Sequence, residues 1–188
     1  MLKISLKPVS EEKVQQIAQV LMNTEDEYEV LKLIDKMITP FQIDVHRNDS
    51  RYDNTPNYMY DLKIIHDLFP DLLMPFCLAT AKTHFSDRSA DRVINHYVTD
   101  RYNFINENRE IKKDFAYYLA ERGITEDQYY VEFLTNCLMQ EYSIIAQLLD
   151  TQPPFCNKSD IISYMRQQNY IEHTAREIVT NNNVYQLV

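Results

Sequence analysis

At 188 residues the chain suits one domain, and its 45% hydrophobic content, with fourteen Tyr and eight Phe, excludes a wholly solvated coil. A formal net charge of −9 argues against unspecific duplex nucleic-acid binding, because phosphates need a positive surface. A single Gly excludes a Walker loop, a dinucleotide fingerprint and most glycine-rich active-site loops.

The longest apolar runs span only a few residues, so no membrane span is expected. Met1–Pro8 alternates polar and apolar residues and lacks the unbroken apolar stretch of a secretory signal. Cys77, Cys137 and Cys156 are odd in number, far apart and form no CxxC pair. They read as buried free thiols of a reducing compartment, with a cytoplasmic location and neither metal nor other cofactor expected.

In chain order, Leu2, Ile4 and Leu6 alternate with Lys3, Ser5 and Lys7, which predicts a short strand. Ser10 before Glu11 and Glu12 predicts an N-cap, and Val14, Ile17, Ala18 and Leu21 a helical stripe ending near Asn23. Thr24 with Glu27 predicts a capping box for a second helix that buries Tyr28, Leu31, Ile34 and Ile38 and stops before Pro40. Phe41, Ile43 and Val45 alternate with Gln42, Asp44 and His46 and predict a second strand. It could pair with residues 2–7 and with Val184–Val188. Arg47 to Asn57 is polar and predicts an exposed loop.

Helical spacing returns over Tyr58–Phe69, is interrupted by Pro70 and Pro75, and resumes to about Phe85. Ser89 is the expected cap of a helix carrying Ile94, Tyr97, Val98, Arg101, Tyr102 and Ile105. Its stripe runs on through Ile111, Phe115, Tyr118 and Leu119. Gly123 sits where a helix C′ residue belongs, and Thr125 with Gln128 predicts a capping box for a long helix ended by Pro153-Pro154. That helix is expected to bury Tyr130, Phe133, Leu134, Cys137, Leu138, Ile144, Ile145 and Leu148. Ser159 caps a last helix whose expected stripe is Ile162, Met165, Ile171 and Ile178. The expected fold is mainly α: a single-domain bundle over 1–188 of six to eight helices, with a polar loop at 47–57 and a helical hairpin at 109–150. A small two- or three-stranded β-sheet formed by the N-terminus, residues 41–46 and the C-terminus could join it.

Three constellations could carry chemistry. His66-Asp67 resembles the pair with which HD-type phosphohydrolases hold a metal that activates water, with His46 and Asp100 as distal partners. Ile65-His66-Asp67-Leu68 lacks the small residues and Gly that surround that pair. Arg166 and His173 resemble in spacing the Arg and His of helical, metal-independent HEPN-type ribonucleases, and seven positions place them on one helix face. His84, Asp87, Asp91 and His96 scatter metal-ligand types without completing a ligand set.

Charge asymmetry and tyrosine point elsewhere. From Gly123 to Asn157 there is no Lys or Arg, while Glu126, Asp127, Glu132, Glu141 and Asp150 are present. Arg109, Lys112, Lys113 and Arg122 are expected to lie beside this acidic helix and neutralise part of it. Glu126, Asp127 and Glu132, with Arg47, Arg51, Tyr52 and Tyr58 of the polar loop, are the expected partner-binding residues. The expected function is a non-enzymatic protein-binding module, an adaptor, immunity protein or inhibitor, whose partner carries a basic surface. The alternative is a helical nuclease or phosphohydrolase built on Arg166/His173 or His66/Asp67.

Overall fold

A computed structural model describes residues 2–7, 9–86 and 95–187. Among them are eight α-helices and no strand: α1 (Glu11–Met22), α2 (Glu27–Asn48), α3 (Asn57–Leu68), α4 (Leu73–Thr83), α5 (His96–Glu107), α6 (Arg109–Arg122), α7 (Glu126–Thr151) and α8 (Ile161–Val179). The expected cap Ser89 and the stripe residue Ile94 lie outside the described residues. No single helix in this set is long and apolar enough to cross a membrane.

The bundle is organised around α7, which packs against α3, α4, α5 and α8. Its start is the predicted one. Gly123 takes φ 62°, a left-handed conformation that costs a residue with a Cβ about 1–2 kcal/mol. The Ile124 amide donates to the Leu119 carbonyl at 3.2 Å, closing the preceding helix. Thr125 Oγ1 accepts from the Gln128 amide at 3.2 Å, and Gln128 Oε1 accepts from the Thr125 amide at 2.8 Å. From there Tyr130, Leu134, Cys137, Leu138 and Ile145 run along the buried side.

The small sheet is not formed, and Pro40 explains why it was expected. Residues 41–46 belong to α2, which passes through Pro40 without stopping. Proline removes one backbone donor, yet Val30, Ile34, Ile38, Phe41 and Val45 keep one buried stripe at steps of three and four. Phe41 packs edge-on to Phe69 at 5.0 Å between ring centroids. Burying this continuous stripe outweighs the interior proline, whose missing donor and ring clash cost about 3 kcal/mol. Ile43, off the stripe, is exposed, as is Tyr28. The N-terminal segment lies as a strap against the second half of α2, its Ser5 amide donating to Asp44 Oδ2 at 2.6 Å. Val184 is buried in a single π-helical turn, Thr180–Val184, that continues α8.

Two caps also differ from expectation. Asp26, not Thr24, caps α2, because its carboxylate reaches the Tyr28 and Glu29 amides at 3.0 and 3.2 Å. Thr24 instead turns its hydroxyl back to the Val20 carbonyl. Asp160, one residue past Ser159, caps α8 by accepting from the Ser163 amide.

Several polar groups are held inside. Arg101 is buried; its Nε donates to the Tyr129 hydroxyl at 2.9 Å, and one terminal nitrogen to the Val184 carbonyl at 2.7 Å and to the Gln186 carbonyl. Glu141 is buried in α7, and that burial raises its carboxyl above the usual range. Lys63 of α3 is wholly buried, with its ammonium 2.6 Å from Asp150 Oδ2 and 2.9 Å from Asp67 Oδ2.

Candidate functional site

Pro153-Pro154 stops α7 and turns the chain into a short non-helical segment beside α8. Gln167 of α8 braces that segment at two points. Its Oε1 accepts from the Cys156 amide at 2.8 Å, and its Nε2 donates to the Pro154 carbonyl at 3.1 Å. Phe155 is tucked inward and packs on Tyr164, ring centroids 5.5 Å apart. Between the segment and the helix lies an open groove of about 410 Å³, lined by Gln152, Pro153, Phe155, Arg166, Gln167, Tyr170 and Ile171. Its walls are mostly apolar and are fixed by Gln167 before anything binds.

Helix α8 presents two apolar faces. Ile171, Ala175 and Val179, four residues apart, form the inner one and are buried. Ile162, Met165 and Ile178, expected in that same stripe, face solvent instead. Ile171, at nine and six positions from Ile162 and Met165, lies on a different side of the helix from both. Ile161, Ile162 and Met165 are 64%, 66% and 53% exposed, and Tyr170 on the rim of the groove is 54% exposed. Isolated exposed aliphatic residues are ordinary, but these neighbours cluster on one half-helix.

The structure separates Arg166 from His173. Seven positions along α8 are about 10 Å, and the two side chains line different hollows. His173 belongs to a concavity of about 290 Å³ with His96, Asp100, Arg176, Glu177, Thr180 and Asn181. Its Nδ1 stands 3.8 Å from Glu177 Oε2, and the side chain is largely exposed. Burial, with the nearby Arg176 charge, pushes His96 down to about 4, so its imidazole is neutral near pH 7. His96 Nε2 is buried and has no hydrogen-bond partner. Asp100 and Glu177 offset Arg176, so the hollow carries no strong positive charge.

His66 and Asp67 meet each other, Nδ1 to Oδ1 at 2.9 Å, while the second carboxylate oxygen faces the Lys63 ammonium. That carboxylate is thus engaged by an internal cation. Among the described residues no group of three or more His, Cys, Asp or Glu is placed to hold a metal. Asp87 and Asp91 lie outside the described residues. A further hollow of about 490 Å³ lies between the N-terminal strap and α1, with Leu2, Ile4, Val9 and Val14 as its apolar wall and Asp67 and Asp71 on its other side.

The segment at 47–57 departs from an exposed loop. Its start is the last turn of α2, Ser50–Tyr52 is a 3₁₀ turn, and Asp49, Tyr52 and Thr55 are buried. Tyr52 is thereby held inside the fold, its hydroxyl donating to Asp150 Oδ1 at 3.1 Å. Two acceptors explain the inward turn: Asp150 takes Tyr52, and Asp49 takes Arg51 through Nε at 2.9 Å and a terminal nitrogen at 2.6 Å. Hydrogen bonds from Arg51 hold the Asp49 carboxyl below its ordinary range despite its burial. Arg47 is exposed. Tyr58 is partly exposed, with its hydroxyl donating to the Glu172 carboxylate of α8.

On α7, Glu126 and Asp127 are exposed in the first turn. Glu132 is paired: the Arg122 guanidinium donates to its Oε2 at 2.9 Å and to the Tyr118 hydroxyl at 2.8 Å. Part of the acidic face is thereby neutralised across the α6–α7 hairpin, at a typical worth of under about 1 kcal/mol for an exposed pair.

Sequence reasoning missed the α8 groove and the Lys63 centre. Lys63 stands four residues before Asp67 and is flanked by Leu62, Ile64 and Ile65, an apolar run that signals a buried ammonium. Pro153-Pro154-Phe155 is a rigid turn ending in a large apolar side chain, which signals a wall packed against its neighbour. Comparison of the chain with known protein families, with curated proteins and with solved structures found no match to any of them.

Proposed function

We propose that the chain is a protein-binding module, acting as an adaptor, immunity protein or inhibitor, and that its main contact surface is the outward side of α8. The observation that carries the reading is the run of exposed Ile161, Ile162 and Met165 next to the braced groove at Tyr170. Clustered apolar side chains beside Tyr and Arg are the composition of an interface core with its energetic anchors. Glu126 and Asp127, at the other end of α7 from the groove, remain as a separate acidic patch that would meet a basic region of the partner. Because Glu132 is paired to Arg122 and Tyr52 is buried, neither is assigned a contact.

The test is affinity capture from host extract with the native chain and with an Ile162→Asp, Met165→Asp double variant. Both positions are exposed, so melting temperatures should match. A protein retained by the native chain and lost from the variant supports the reading. Capture of the same proteins by both refutes it.

A second reading, a metal-independent ribonuclease, is favoured by one arrangement: His173 shares its hollow with His96 and Arg176. Two imidazoles could exchange protons with a ribose hydroxyl and a leaving oxygen, with the guanidinium of Arg176, in place of Arg166, facing the phosphate. The near-neutral charge of the hollow makes this the weaker reading.

A further inference from the structure

We infer that the α8 groove receives a polypeptide segment presenting an apolar anchor side chain next to a carboxylate. This rests on the protein-binding reading and specifies the partner. The apolar part follows from Pro153, Phe155 and Ile171, which shape a hollow open to solvent on one side.

The carboxylate follows from which polar groups are left unspent. Gln167 has used its amide on the Pro154 and Cys156 backbone. Arg166 and Tyr170 stand four residues apart on one edge of the groove, and neither makes a hydrogen bond or ion pair within the described residues. They offer a planar fork of N–H donors and a phenolic O–H, the set that grips a carboxylate through two parallel bonds. Asp160 and Glu172 each stand six residues from Arg166: Asp160 is held as the N-cap of α8 and feels the Arg166 charge only at a distance, and Glu172 accepts from Tyr58 and Gln168.

Local charge agrees. The chain carries −9, yet between Gln152 and Ile171 the charged residues are Lys158 and Arg166 against Asp160 alone. The groove thus lies on a stretch of slightly positive balance in an acidic protein, which favours a negative group there. A basic segment would meet Arg166 unfavourably and would be drawn instead to Glu126 and Asp127.

The experiment pans a phage-displayed random dodecapeptide library against the full chain, then measures the best synthetic peptide by fluorescence anisotropy. The expected peptides place Leu, Ile or Phe within one turn of Asp or Glu. Arg166→Met, which keeps the aliphatic stem, should weaken such a peptide by about tenfold or more, with Arg166→Lys restoring only part because Lys lacks the fork. Tyr170→Ser should weaken it as well.

Peptides without an acid, insensitive to Arg166→Met but lost with Tyr170→Ser, would overturn the carboxylate while leaving a binding surface on α8. Basic peptides lost with a Glu126→Lys, Asp127→Lys variant would overturn it by moving the contact to the start of α7. No enrichment over bare support overturns it too. Failure of the protein-binding reading itself is seen separately, when Ile162→Asp, Met165→Asp captures the same host proteins as the native chain.

Discussion

Replacing Lys63 by Met removes a charge while keeping most of the side-chain volume. The native ammonium is wholly buried, 2.6 Å from Asp150 and 2.9 Å from Asp67, whose side chains are 37% and 12% exposed. Burial pushes the Asp150 carboxyl up, but the Lys63 hydrogen bond and charge, with the Tyr52 hydroxyl, bring it below its ordinary range. Removing one partner of a buried ion pair costs about 3–5 kcal/mol, because the remaining charge stays out of water. Asp150 can rehydrate and Asp67 largely cannot, so the expected loss is near the lower limit, about 3 kcal/mol. For a domain of this size that is a fall in melting temperature of about 6–12 °C. Urea unfolding of Lys63→Met should show a lower midpoint at unchanged slope. Adding Asp67→Leu to Lys63→Met should recover part of the loss, since no stranded carboxylate then remains at the shielded end. A Lys63→Met variant within about 0.5 kcal/mol of the native chain, or a double variant less stable than the single one, would refute the account.

Two further outcomes follow from local geometry. Gly123→Ala should cost about 1 kcal/mol, read by urea unfolding; nothing lies within 4 Å of the added Cβ, so the cost is the left-handed φ alone, and a loss above about 3 kcal/mol would show a packing role. His96 is neutral in the fold down to about 4, below the ordinary 6.5, so its contribution is intact above pH 6.5 and is lost as pH falls from there toward 4. The sign follows because the unfolded chain binds the proton that the folded one refuses. Water reaches part of this half-buried ring, which discounts the loss to about 1–2 kcal/mol. His96→Asn should therefore lose less stability than the native chain between pH 7 and pH 4.5, and equal losses would refute the assignment.

The hairpin at Gly123 was legible because each of its signals is local. A left-handed cap and a capping box lie within a few residues, and their geometry follows from those residues alone. Residues 41–46 misled because alternation over six residues also fits three- and four-residue steps once Val30, Ile34 and Ile38 are counted in. Local pattern named a strand, and the longer stripe won. Apolar spacing places Ile162 and Met165 in the core stripe because it identifies a face without saying whether anything covers it. Tyr52 was hidden for another reason: its partner Asp150 is 98 residues away, and no local rule reports such a contact. The groove combines both cases, since its walls come from two sides of the Pro153 turn and its bracing from Gln167.

Arg101 bears on how the chain folds during synthesis. Its guanidinium sits inside the bundle, but the Val184 carbonyl it needs lies 83 residues further along. Until that stretch has left the ribosome, closing α5 onto α7 would strand a cation away from water, at a cost of several kcal/mol. This side of the bundle is therefore expected to close after α2, α3, α4 and α7 have packed, with the Tyr129 hydroxyl as the earlier partner of Arg101. The expected outcome is a late lock, read as late hydrogen-exchange protection of the α5 amides on nascent chains, and α5 protection before Val184 emerges would refute it.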